Sequence, residues 1–312
     1  MNIGRVISAI FLLLILAPGC RKTEDPISPK GFDSSVPWQP TDGPNGHVVT
    51  CLAVSATNTY AGLDIGGVYL STNNGANWTA VNTGLPSTWV SALAVSGVNL
   101  FAGTYRGVFL SSNSGTNWTS VNAALTGTHV SALLASGPNL FVLTENGLFL
   151  STSNGTNWTS AGMTGTYVSA LFVSGANLFV GTSGGVFLST DNGTNWTSAG
   201  LTGTPVSSLA VSGPNLVAGT GGYGVYLSTN SGATWTAATV GLTSNGNIIN
   251  ALTVSGTNLF AGTWAGVFLS TDNGTNWTAI NNGLTSDIVM ALAISGNNIL
   301  AGTWAGVWRR PL

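Results

Sequence analysis

Between residues 90 and 123 the chain runs apolar, breaks on turn residues and runs apolar again. VSALAVS, NLFAGT, GVFLSS and WTSVN are parted by Gly-Val-Asn, Tyr-Arg-Gly and Asn-Ser-Gly. Runs this short, rich in Val, Leu, Phe and Thr with hairpin-length breaks between them, predict four antiparallel strands in a meander. The pattern recurs: residues 90–118 match 130–158, 168–196, 206–235 and 249–277, with a looser copy at 49–78 and a shortened one at 289–308. Six copies carry an octet such as STDNGTNW (189–196), whose tryptophans, Trp78, Trp118, Trp158, Trp196, Trp235 and Trp277, lie 40, 40, 38, 39 and 42 residues apart. A repeat of about 40 residues with four β runs predicts propeller blades, since one meander alone leaves its apolar faces wet and stacking around an axis buries them.

The count of runs also predicts how the ring closes. The last copy stops after its third run at Trp308-Arg309-Arg310, while an unmatched VPWQPTDGPNGH precedes the first copy. Trp38 lies 11 residues before Val49, as Trp78 lies 12 before Val90, so Trp38 holds an octet-tryptophan place without an octet. The reading is an all-β, seven-bladed propeller of four-stranded antiparallel blades over residues 36–312. Its last blade is completed by the N-terminal strand, with residues 36–42 closing the ring. A solenoid gives no reason for a piece missing at one end to appear at the other.

The octet sits between the third and fourth runs, where glycine supplies a positive-φ turn position and Asn, Asp and Ser bond nearby backbone. The pattern S-x-D-x-G-x-x-W resembles the Asp-box, or BNR, repeat of sialidases, sortilin-type receptors, photosystem assembly propellers and some plant-polysaccharide hydrolases. Asp stands at the third position only at Asp191 and Asp272; Asn73, Asn113, Ser153 and Asn230 replace it elsewhere. The resemblance implies a propeller in which the box is architectural and lies away from the ligand face.

Composition narrows the function. Charged residues make up 5% of the chain, the net charge is −2, and Lys and Arg number seven, four of them before residue 31. Nucleic acid is excluded as a partner, because phosphate neutralisation needs clustered cations. The start differs in kind: MNIGR, then the apolar VISAIFLLLILA, then PGC. That apolar run is too short for a mature membrane span but suits an export signal over residues 1–19. LAPGC resembles a bacterial lipobox, although Leu16 is one place too far upstream and Pro18 intrudes; an ordinary signal with an incidental cysteine is the plainer alternative. The favoured expectation is lipidation at Cys20, a flexible tether over 20–35 and attachment in the cell envelope, at the outer membrane because Arg21 and Lys22 follow the cysteine. Cys51 lies in an apolar run without a partner, and no Cys/His spacing suits a metal, so no cofactor is expected.

Loops between the second and third strands share a face with the crossings between blades, and this face holds nearly every unusual side chain. The loops read LDIGG, TYRG, TENG, TSGG, TGGYG, TWAG and TWAG, and the crossings add His47, Trp89, His129, Tyr167, Pro205, Asn247 and Asp287. Tyr223, Trp264, Trp304, Tyr105 and Trp89 are candidate ligand contacts, since exposed aromatic faces suit sugar rings or apolar side chains. Arg106, Asp64 and Asp287 are candidate orienting groups. The expected function is a surface-anchored, monomeric binding or scaffolding propeller for a glycan or protein. The alternative is a polysaccharide-cleaving glycoside hydrolase, which needs two carboxylates about 5 to 9.5 Å apart. Its candidates are Asp64, Asp287 and Glu145, best as the pair Asp64 and Asp287. The arginine triad of a sialidase is missing: Arg106 alone lies in such a loop, with Arg309 and Arg310 at the end of the closing blade.

Overall fold

The computed structural model describes residues 32–123, 125 and 129–312, so the export segment, Cys20 and most of the tether lie outside the described residues. Seven four-stranded antiparallel sheets form the blades. Blades one to six are contiguous in sequence, at 49–80, 90–120, 130–160, 168–198, 206–237 and 249–279. Blade seven takes Val289–Ser295, Asn298–Thr303 and Gly306–Pro311 from the chain's end and Gln39–Pro40 from its beginning. Gln39 pairs with Arg309 and Pro40 with Trp308, the closure that the repeat count predicts.

The core is a set of layers between blades, one per junction, each holding a tryptophan of the later blade. Blades one and two enclose Cys51, Leu93, Phe109 and Trp118; blades six and seven enclose Phe260, Ile280, Leu292 and Trp38. The octet tryptophans therefore pack across the junction between blades. They stand one residue ahead of a two-residue outer strand such as Thr119–Ser120. Trp118, Trp158, Trp196, Trp235 and Trp277 each donate an indole N–H to a carbonyl of the preceding blade: Val81, Val121, Ala161, Ala199 and Ala238. Trp78 donates only to Gly75 in its own turn, at 3.1 Å.

Within the octet, Ser189 Oγ accepts the N–H of Gly193 and donates to Asp191, whose Oδ1 accepts the N–H of Asn195. These bonds, the Asn195 backbone amide foremost, hold the Asp191 carboxyl below its usual range. The turn places two consecutive residues in the left-handed region, Asn192 at φ 56° and Gly193 at φ 90°. A Cβ on Gly193 would also come 2.8 Å from the Cβ of Ala161 in the preceding blade, so glycine is required there for both conformation and space.

A second set of stitches runs around the inner strands. Each first strand slips register after its first residue, leaving one bulged residue: Thr50, Ser91, Ser131, Ser169, Ser207, Asn250 and Met290. Thr50, Ser91, Ser169, Ser207 and Asn250 donate from this position to the first-strand carbonyl of the next blade. Ser131 turns to Leu143 of its own blade, and Met290 has no donor to offer blade one.

Closure reaches further toward the N-terminus than residues 36–42. Arg310, 0% exposed, donates to the carbonyls of Ile280 (3.1 Å) and Asp33 (2.7 Å), and its guanidinium lies 4.5 Å from the centre of the Phe32 ring. Phe32 meets Phe260 edge to face at 5.7 Å. Arg310 thus clamps the incoming segment from Phe32 onward. It pairs with Ile299 at the octet end of its strand, the closing-strand end where the sequence places it, and there it serves the latch.

Candidate ligand face

The loops between second and third strands of blades two to seven are built alike. In the form T-x-x-G, the Thr263 hydroxyl donates to the carbonyl of Gly266 and accepts the N–H of Ala265, and Thr303 does the same with Gly306 and Ala305. Thr104 closes the loop of blade two in the same way. Each turn is tied at its base, so the residue after the threonine has no core to enter and projects into solvent. Trp264 is 45% exposed, Trp304 48% and Tyr105 54%. Asn281 braces the Trp264 loop from behind, donating to the carbonyl of Ala265 and accepting the N–H of Val267. Behind Trp304 the brace is the closing segment itself, through Gly46 N–H to Ala305 and Thr41 N–H to Val307.

The crossings lie over these loops. Asp64 N–H bonds Val48, Ser183 N–H bonds Tyr167 and Trp304 N–H bonds Ile288, so loops and crossings share one face as expected. On blades two and three this brings three rings together: Tyr105 stacks on His129 at 4.4 Å and 25°, and Trp89 leans on Tyr105 at 5.8 Å. Sequence reasoning had Trp89 and Tyr105 but placed His129 only as a crossing residue. Its Nε2 is buried without a hydrogen-bond partner. Burial lowers the His129 pKa, with Glu145 acting in the opposite direction. Tyr223 is exposed on the blade five loop, and Tyr167, not among the predicted contacts, is exposed on the crossing into blade four.

The candidate carboxylates come from three different places on the ring. Asp64 Oδ1 accepts the backbone N–H groups of Val48 (3.2 Å) and Ile65 (2.7 Å), a bracing role in a loop that has Leu63 where the others have threonine. Asp287, on the crossing from blade six to blade seven, accepts the N–H of Gly266 at its carbonyl. Glu145 is exposed on blade three. Arg106 sits beside Tyr105, and its carbonyl accepts from Asn122 Nδ2. The depression of about 220 Å³ lined by Ser174, Phe179, Pro214 and Ser231 lies on the opposite face, between blades four and five.

Comparison with known proteins agrees with this architecture. A family model described as the DUF6242 beta propeller domain matches residues 97–215, from the first hairpin of blade two into blade five. The chain is a seven-bladed β-propeller. No curated protein matches it. Among solved structures it is similar to the GH74 xyloglucanase from Xanthomonas campestris, with a TM-score of 0.69 and 19% identity over 88% of this chain and 53% of that one. It is similar to YCF48 bound to D1 peptide, with a TM-score of 0.72 and 13% identity over 89% of this chain and 99% of that one. The extracellular domain of BT4673 from B. thetaiotaomicron, described as a one component system, gives a TM-score of 0.72 and 18% identity over 89% of this chain and 40% of that one. The chain spans about half the length of the xyloglucanase. At these identities the likeness is one of fold.

Proposed function

We propose that this propeller is a non-catalytic binding module, held in the cell envelope by a lipid on Cys20, that takes a glycan or protein on its aromatic loop face. The observation that carries the reading is the tied T-x-x-G turn, which holds Trp264 and Trp304 in solvent on neighbouring blades. Aromatic rings held out of the core on rigid turns offer flat apolar faces that suit sugar rings or apolar side chains. Arg106 and Asp287 supply polar contacts at the edge of the same face, and the octets, resembling Asp-boxes, are spent on architecture. Against the hydrolase alternative stands Asp64, whose Oδ1 is engaged by two backbone amides as part of the loop's own brace. The neighbours include both a hydrolase and a peptide-bound propeller, so fold alone does not choose between the readings. The test is a glycan and peptide array probed with the purified chain, followed by product analysis on any glycan retained. Retention without cleavage supports binding; release of shortened product, abolished by Asp287→Asn, would replace this reading with the hydrolase.

A further inference from the structure

The latch at Arg310 fixes where the N-terminal segment leaves the propeller. Arg310 pairs with Ile299, next to the first hairpin of blade seven, and Ser295 in that hairpin donates to Asn74 in the octet of blade one at 3.3 Å. Hairpin, octet and Arg310 therefore lie at one face of the ring. Asp33 and Phe32 are held against Arg310 there, and from Trp38 the chain climbs through Gln39 and Pro40 toward the loop face. Leu312 N–H donates to Asn297 in the same hairpin, placing the other described end on the octet face as well.

From this geometry we infer that the octet face is turned toward the surface that holds the N-terminus, so that the aromatic loop face is presented away from it. The inference rests on the proposed anchorage at Cys20. Phe32 lies twelve positions after Cys20, a reach of at most about 40 Å when fully extended. Six-residue strands such as Asn298–Thr303 make a blade about 20 Å tall, so carrying the loop face to the membrane would use half of that reach merely to climb the side of the ring. The latch removes the slack that would allow it. Residues 32 to 38, which otherwise would lengthen the tether, are bound to blades six and seven through Arg310, Phe260, Asn282 and Ile280.

Orientation is read on the full-length chain bound to phosphatidylethanolamine/phosphatidylglycerol vesicles carrying a headgroup quencher. A fluorophore is placed on the octet face in Asn297→Cys or on the loop face in Ala305→Cys; both sites are exposed, and Cys51 is buried. The expected result is stronger quenching at position 297 than at 305. Equal or reversed quenching on attached protein overturns the inference. Attachment is scored separately by flotation and by the lipid mass on the N-terminal peptide, with Cys20→Ser as control. If the wild-type chain neither floats nor carries lipid, the anchorage reading fails and the orientation falls with it. Energy transfer from a donor at Lys30→Cys then shows whether the exit itself is misplaced: higher transfer to 297 than to 305 keeps the exit on the octet face, and the reverse order removes it.

Discussion

Trp38 donates its indole N–H to the carbonyl of Ile280 at 2.7 Å, joining residues 242 positions apart. The bond reproduces at the chain's two ends what five octet tryptophans do between consecutive blades, and Trp38 is 1% exposed. Trp38→Ala removes a buried indole from the junction of blades six and seven and should cost about 3 to 5 kcal/mol. Trp78→Ala, whose indole bonds only its own turn, should cost less. Urea midpoints of the two variants decide it, and equal losses would mean that the cross-blade bond contributes nothing special.

Arg310 offers a sharper test of closure. Arg310→Ala removes the donor to the Asp33 carbonyl, leaves the Ile280 carbonyl with the Trp38 indole alone and opens a void beneath Phe32, an expected loss of about 3 kcal/mol. Arg310→Met keeps most of the volume without burying a charge and should lose less. A chain beginning at Ser34, lacking Phe32 and Asp33, should fall between wild type and Arg310→Ala in melting temperature. If that truncation melts with wild type, the latch is dispensable.

The octet glycine has a separate signature. Gly193→Ala places a side chain at φ 90° and 2.8 Å from Ala161, and both faults should add to a loss of about 2 kcal/mol or more. Asn192→Gly, in the left-handed place beside it, should be neutral within about 0.5 kcal/mol. Thermal melts of this pair separate conformational strain from loss of the octet side chain.

Cys51 gives a pH dependence. Burial foremost pushes its thiol up to about 12, so the folded state keeps the proton after the unfolded state has lost it. Stability from this group is complete below the ordinary thiol pKa near 9 and declines as pH rises toward 12. Cys51→Ala should flatten that alkaline decline, measured as urea midpoints between pH 8 and pH 11. A thiol reagent at pH 8 should react with Cys51 no faster than the chain unfolds.

For the ligand face, a Trp264→Ala, Trp304→Ala double variant should lose at least about 2 kcal/mol, or roughly thirtyfold, in affinity for whatever the array retains, with an unchanged melting temperature. Both rings stand in solvent, so a drop in melting temperature would reveal packing instead of binding.

What the sequence made legible is what repeats. Blade number, the octet turn and the place of Trp38 all follow from spacing, because seven copies report the same physical demand. The direction of the octet indoles was not legible, since a tryptophan at a strand's start can pack on its own sheet or the next. The latch was hidden for the opposite reason: Phe32, Asp33 and Arg310 occur once, and no repeated position shows that a terminal arginine is buried. On the loop face, spacing placed Trp264, Trp304 and Tyr105 correctly. The stacking of Tyr105 on His129, which are 24 residues apart in sequence, needed the crossing and the loop in three dimensions. So did the occupation of Asp64 by the Val48 and Ile65 amides, which a list of acidic residues cannot show.

The outer strands are two residues long in blades one to six, and the closing Gln39–Pro40 matches them with a proline in it. An edge that short offers a neighbouring molecule too few free amides and carbonyls to extend a sheet. With 5% of residues charged, copies gain little mutual repulsion to keep them apart. Brevity at the rim takes over the protective work that lysines perform on other β-proteins, and it does so independently of salt. Copies crowded side by side should therefore stay separate at ionic strengths where charge-guarded sheets begin to coalesce.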